Sequence, residues 1–342
     1  MNNTIKSSLI TIILLLPTLN LFAQNTESTT KVGTTAGQFL KIGVGARANA
    51  MGGAYVAVDY GIESSYWNPA LIARIPGQGE AAFNHSNWLV DSQYDYVGIS
   101  FNAPAGTVGL SFISFRVPDE IVRTVLFPEG TGQVWDANSI AIGLTYARNL
   151  TQEFSFGITG KFIQETIYNE SAQTFAVDLG IFYQTPWNPL KLGVSIINYG
   201  GKMQLDGRDI YFNEAPIGES GAVNEVPAQY RMDRFEIPLS LRFGLALEAF
   251  KNENISVLLT SDGIHPNDNQ ESISTGMEVM LKELISIRAG YRTLFMDDSE
   301  QGLTLGFGLR RDTVAQNFRI DYAWADYGLL HSVHFLTFSV KY

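Results

Sequence analysis

The chain has 342 residues, a formal charge of −11 and no cysteine. The missing thiol excludes disulfide staples, thiolate metal sites, a cysteine nucleophile and a lipid-modified cysteine anchor. The acidic balance excludes the basic, counterion-releasing face that nucleic-acid binding needs. Hydrophobic residues make up 45% and aromatics 12% of the chain, with 32 glycines, yet its mean hydropathy is close to zero. No apolar run after the N-terminal one is long enough for a spanning helix, so a helical membrane protein is excluded too.

Lys6, the apolar run 9–16 and Pro17, followed by Leu21-Phe22-Ala23-Gln24, have the form of a secretory signal peptide. The apolar core is shorter than the roughly 20 residues of a membrane-spanning helix. Residues 1–23 are therefore expected to be removed, with Leu21 larger than usual at the third position before the cut.

Residues 24–79 do not alternate. A polar tail reaches about Thr35, and a stretch rich in Gly and Ala follows. The run 46–58 predicts a short helix broken at Gly52-Gly53, and Trp67-Asn68-Pro69-Ala70 predicts a turn opening another helical turn. A piece this small cannot fold alone, so it is expected to form a hatch inside a larger structure made by residues 80–342.

From residue 80 onward the chain breaks into segments with period-two alternation, the pattern of strands with one apolar and one polar face. The run 239–248 is the clearest, with Leu239, Leu241, Phe243, Leu245 and Leu247 interleaved with Ser240, Arg242, Gly244, Ala246 and Glu248. Marking all such runs predicts fourteen strands, near 80–88, 94–103, 106–116, 138–149, 153–165, 173–185, 190–199, 237–250, 254–262, 273–282, 284–294, 301–311, 316–325 and 334–342. Short connections at 104–105, 150–152, 186–189, 251–253, 283 and 312–315 alternate with longer ones at 117–137, 166–172, 200–236, 263–272, 295–300 and 326–333. An even strand count, with short turns at one end and long loops at the other, predicts an all-β, antiparallel transmembrane β-barrel in the outer membrane with a small N-terminal hatch. Trp187, Trp324 and Tyr342 fall at strand ends, where interfacial aromatics belong. A soluble sandwich also alternates, but its strands are usually only about 5–6 residues long.

Alternation also places the charges. Asp178, Arg242, Glu248, Glu278, Arg288, Arg292, Arg310, Arg319 and Asp321 fall on the polar phase and are expected to line the lumen as mutual ion pairs and contacts to the hatch. An Arg or Lys on the lipid face would cost ~2–4 kcal/mol near the midplane. One of these arginines could instead hold a carboxylate ligand.

The residues predict no catalytic, cofactor or metal site. His85 and Ser86 are strand neighbours and point to opposite faces, so they cannot pair as base and nucleophile. Gly43 and Gly45 begin no dinucleotide fingerprint, because Arg47 and Ala48 follow. The oxygen-rich run 262–269 departs from calcium-loop spacing and reads as a solvated turn. The connection 200–236 is longer than a hairpin needs, and its Asp206, Asp209, Glu214, Glu219 and Glu225 make it the candidate partner-binding loop.

The stretch 43–73 carries Gly45-Ala46-Arg47, then Met51-Gly52-Gly53-Ala54, then Trp67-Asn68-Pro69-Ala70. It resembles the N-terminal signature of the PorV/PorQ family of outer-membrane proteins, relatives of the fatty-acid transporter FadL. The C-terminal run 320–324 with His334-Phe335 and a final aromatic is similar to the end of the same family. The resemblance implies a fourteen-stranded barrel whose hatch motif comprises Gly45, Arg47, Met51, Gly52, Gly53, Trp67, Asn68 and Pro69. It implies partners among outer-membrane lipid, secreted cargo proteins and subunits of the type IX secretion system. The alternative it implies is a FadL-like passage for long-chain fatty acids or another small hydrophobic ligand.

Overall fold

The structure, a computed structural model, describes residues 31–186, 189–214, 226–296, 299–313 and 316–342. The expected signal peptide, Trp187, Glu219 and Glu225 lie outside the described residues.

Fourteen strands follow one another around a closed antiparallel barrel. They are β1 (Gly79–Asn87), β2 (Gln93–Ala103), β3 (Gly106–Ile121), β4 (Val134–Asn149), β5 (Phe154–Ile167), β6 (Glu170–Gln184) and β7 (Leu190–Gly200). The second half comprises β8 (Ser240–Lys251), β9 (Ile255–Pro266), β10 (Ser272–Leu281), β11 (Ile285–Leu294), β12 (Leu303–Asp312), β13 (Asn317–Asp326) and β14 (Ser332–Lys341). Closure comes from β1 pairing with β14, from Glu80 opposite Lys341 to Asn87 opposite His334. This leaves the barrel sheet itself without an unpaired edge, as a β-structure in hydrocarbon requires. No helix among the described residues is long and apolar enough to cross a membrane.

The alternation sorts as the sequence predicts. In β6, Phe175, Val177, Leu179, Ile181 and Tyr183 are exposed on the outer surface, while Ala172, Thr174, Ala176, Asp178 and Phe182 are buried inside. Leu303, Leu305, Phe307 and Leu309 of β12 likewise face out. Aromatic groups mark the end with the short turns. There the Tyr146 hydroxyl donates to Ala105 O at 2.6 Å, and the Tyr342 hydroxyl donates to Ser100 O at 2.9 Å.

The loop rhythm is less strict than the sequence suggests. The long connection expected at 166–172 is only the turn at 168–169, because β5 and β6 stay paired to Ile167 opposite Glu170. The connection expected at 117–137 is strand at both of its ends and shrinks to 122–133. β3 and β4 remain paired as far as Ile121 opposite Val134, past a bulge between Val117 and Glu120, and form a hairpin that outlasts its neighbours. Polar residues at the strand ends hide this continuation, since strands outside the membrane need no apolar face.

The long connection between β7 and β8 carries its own small hairpin, Tyr211–Glu214 paired with Val226–Gln229. Short turns lie at one barrel end together with both ends of the sheet; that end is the periplasmic one, and the long loops lie outside.

Candidate functional site: the N-terminal segment and the lumen

Residues 36–75 are mostly buried, and they bond to strands from every part of the wall. Helix α1 (Ala46–Ala50) stops where Gly52 and Gly53 adopt φ of 67° and 75°. This is the break the sequence predicts, since only glycine enters that region without penalty. Asn68 caps the 3₁₀ turn Pro69–Arg74, its side chain accepting from Ala70 N at 3.0 Å. Its amide also donates to Val56 O and to Ile181 O of β6, both at 2.9 Å, tying the segment to the wall.

Glycines in the wall let the segment come close. Gly276 of β10 and Gly290 of β11 stand opposite each other in the ladder. A Cβ on Gly290 would overlap the backbone of Met51 and Gly52. The converse holds as well, because a Cβ on Gly52 would sit 2.7 Å from the carbonyl oxygens of Thr275 and Tyr291. Main chain meets main chain here, and Gly52 N donates to Thr304 Oγ1 at 3.0 Å.

A chain of alternating buried charges continues the attachment. Arg47 forks onto Glu278 through Nε at 2.7 Å and Nη2 at 2.5 Å. Glu278 also receives Arg288 Nε at 2.5 Å, and Arg288 reaches Asp321 at 2.6 Å. Asp321 pairs with Arg319 at 2.7 Å, and Arg319 pairs with Glu63 of the segment and, at 3.4 Å, with Glu80. Lys341 lies 3.8 Å from Glu80. Four cations thus face four anions, and the ring of Tyr60 is flanked by Arg47, Arg319 and Lys341 at 4.0, 4.5 and 4.3 Å. Buried charges persist only when paired, so the segment and the wall each complete the other's electrostatics.

Two further carboxylates hold main chain. Asp262 of β9 accepts from Tyr55 N at 2.7 Å and Val56 N at 2.9 Å. Asp178 pairs with Lys161 at 2.8 Å and accepts from Asn198 N at 2.7 Å. Arg292 bonds to Asn49 of the segment and donates to the Tyr327 hydroxyl at 2.9 Å. Arg242 lies over the ring of Trp67 at 5.2 Å.

Seven of the nine charges expected to line the lumen, namely Asp178, Arg242, Glu278, Arg288, Arg292, Arg319 and Asp321, are therefore buried, and four of them, Arg242, Glu278, Arg292 and Arg319, contact this segment directly. Glu248 and Arg310 are only partly buried. They pair locally with Lys251 at 3.3 Å and Asp312 at 2.7 Å, and they line a polar cavity of about 290 Å³ at the periplasmic mouth. Inward phase alone cannot tell the rim from the middle. Glu63, Glu80 and Lys341 carry no signal of this role in the sequence: Glu63 sits in a stretch without periodicity, and Glu80 and Lys341 occupy the periplasmic ends of their strands.

The run 262–269 is divided in use. Asp262 points into the lumen, whereas Asp268 accepts at the outer rim from Thr35 Oγ1 at 2.7 Å, Gln38 Nε2 at 3.2 Å and Lys41 Nζ at 3.0 Å. His85 faces outward and bonds to Asp95 at 2.7 Å, while Ser86 is buried on the opposite face. In the candidate partner loop, Asp206 accepts from the Tyr211 hydroxyl at 3.2 Å and Asp209 from Asn169 at 2.6 Å; Glu214 is exposed. Glu236 pairs with Lys202 at 3.2 Å, so the acids of this loop are partly spent within it.

The outer end carries one feature that composition did not foretell. The tip of the long β3–β4 hairpin exposes Val125-Leu126-Phe127, with Val125 99% and Leu126 84% accessible.

Residues 24–210 match the family model for the type IX secretion system protein PorV. The chain belongs to the PorV family. No curated protein matches it. Among solved structures, the toluene transporter TodX of Pseudomonas putida superposes with a TM-score of 0.56 at 14% identity, covering 87% of this chain and 97% of that one. The monoaromatic hydrocarbon channel CymD gives 0.55 at 13% identity, covering 87% and 96%. The toluene transporter TbuX of Ralstonia pickettii gives 0.53 at 11% identity, covering 87% and 97%. At these identities the likeness establishes the shared barrel architecture. The PorV match spans the N-terminal segment and the first seven strands, so this chain is an outer-membrane barrel associated with type IX secretion.

Proposed function

We propose that this PorV-family barrel works as a docking component of type IX secretion, engaging cargo or secretion and attachment subunits through its outer loops. On this reading it is exported with a cleaved N-terminal peptide, and residues 36–75 serve as a plug rather than a gate. The observation that carries the proposal is the projecting β3–β4 hairpin with Val125, Leu126 and Phe127 at its tip. Contiguous exposed apolar groups rimmed by polar ones mark protein interaction sites. The lumen beneath supports the same reading, since Glu278, Arg319, Arg292 and Arg242 of the wall engage the segment that occupies it.

A second reading has an observation of its own. An apolar groove of about 660 Å³, lined by Leu241, Phe243, Ile273, Leu294 and Phe295, lies on the outer wall. With the hydrocarbon channels among the structural neighbours, it favours passage of a small hydrophobic molecule.

Affinity capture of the tagged protein from solubilised outer membranes separates the two. Docking predicts recovery of secreted proteins or secretion subunits with the natural chain and their loss with a variant carrying Val125→Ser, Leu126→Ser and Phe127→Ser. Recovery of bound lipid or hydrocarbon alone, unchanged in the variant, defeats the docking reading.

A further inference from the structure

The direction in which the N-terminal segment threads the barrel has a consequence for the cell surface. Its first described residues are fixed at the outer rim. Ala36 N donates to Glu236 O at 2.9 Å within the long β7–β8 connection, and Gly37 N donates to Glu165 near the outer end of β5 at 3.1 Å. Thr35, Gln38 and Lys41 all converge on Asp268 between β9 and β10.

The chain then descends. Ile42 O accepts from Tyr94 at the outer end of β2, at 3.0 Å. Ala46 N bonds to Thr337 midway along β14, at 2.7 Å. Asp59 pairs with Lys191 at the inner end of β7. The last contacts are at the periplasmic turns, where Asn149 donates to Ala73 O at 2.8 Å and Arg74 to Gln152 O at 2.6 Å, just before β1 begins.

We infer that the N-terminal end of this segment is presented on the cell surface beside the β7–β8 loop. Lys31, Val32, Gly33 and Thr34 are exposed above the rim. The sequence leading to them, Gln24 to Thr30, is polar. This short arm, residues 31–34, is therefore accessible from the extracellular side and not from the periplasm. The inference rests on the route of the chain and holds whether or not the outer loops dock cargo.

The absence of native cysteine gives the test a clean background. Three single variants, Val32→Cys, Val125→Cys and Glu253→Cys, place a thiol at exposed positions on the arm, the outer hairpin and a periplasmic turn. Intact cells are treated with a membrane-impermeant biotin maleimide, and heat-modifiable migration verifies that each barrel is assembled. Val32→Cys is expected to label to an extent comparable with Val125→Cys, and Glu253→Cys only after the outer membrane is permeabilised. Silence of Val32→Cys in intact cells that label at Val125→Cys overturns the inference. Labelling of Glu253→Cys in intact cells, or silence of Val125→Cys, overturns it as well by reversing the barrel's orientation.

Discussion

Asp268 shows how one side chain ties the chain's entry point to the rim. Burial works to raise its pKa, but hydrogen bonds from Thr35, Lys41 and Gln38, with the charge of Lys41, outweigh burial and hold the carboxyl below its ordinary value. A carboxyl depressed by folding stabilises the folded arrangement at every pH above its ordinary value of about 3.9, and that contribution disappears as pH falls through the folded value. The clasp is therefore expected to stay shut from neutral pH down to about pH 4 and to loosen only below. Amide hydrogen exchange at Ala36, corrected for its intrinsic pH dependence, should be flat between neutral and mildly acidic pH and accelerate in stronger acid. Asp268→Asn should accelerate it already at neutral pH. Loosening in mild acid would assign the clasp to another group. Nothing in the sequence around Asp268 discloses this role, because its partners lie more than 200 residues away.

At the level of elements, the strands were legible and the contacts between strand and segment were not. Period-two alternation is imposed locally by the two solvents on either side of the wall, so 239–248 or 173–185 can be read without knowing the partners. The glycines at 276 and 290 read in sequence only as weak points in strands. Their use becomes apparent when Gly52 is found against them. Gly290→Ala is expected to force the segment off the wall at Met51 and Gly52, at a cost of about 1–3 kcal/mol or more from overpacking. The barrel should still assemble and remain heat-modifiable, because a Cβ is tolerated by the ladder itself. Limited proteolysis in detergent should then cut within residues 43–58 of the variant while the natural chain resists. Equal resistance of the two would show that the close approach does not govern seating of the segment. The paired ends of β3 and β4 are illegible for a related reason, since beyond the membrane both faces are wet and alternation stops marking strands.

For the whole molecule, the fourteen-strand count sets a demand that the N-terminal segment meets. Eight-stranded barrels fill their interior with their own side chains, whereas barrels of 16–18 strands leave an aqueous channel. A barrel of intermediate size with charged inner residues needs something polar to complete it. Here residues 36–75 bring Arg47, Glu63 and Asn49 to Glu278, Arg319 and Arg292. Removing residues 37–75 should leave a wall held by its own ladder, with Glu278 and Arg288 still paired, and should replace the plug by water. In planar bilayers the full chain is expected to show no steady conductance, and the deleted chain an open, ion-conducting pore. Steady conductance of the full chain would mean that the segment leaves a path, as a channel requires, and would turn the balance from docking towards passage. A deleted chain that assembles yet stays closed would show that the outer loops seal the lumen without it.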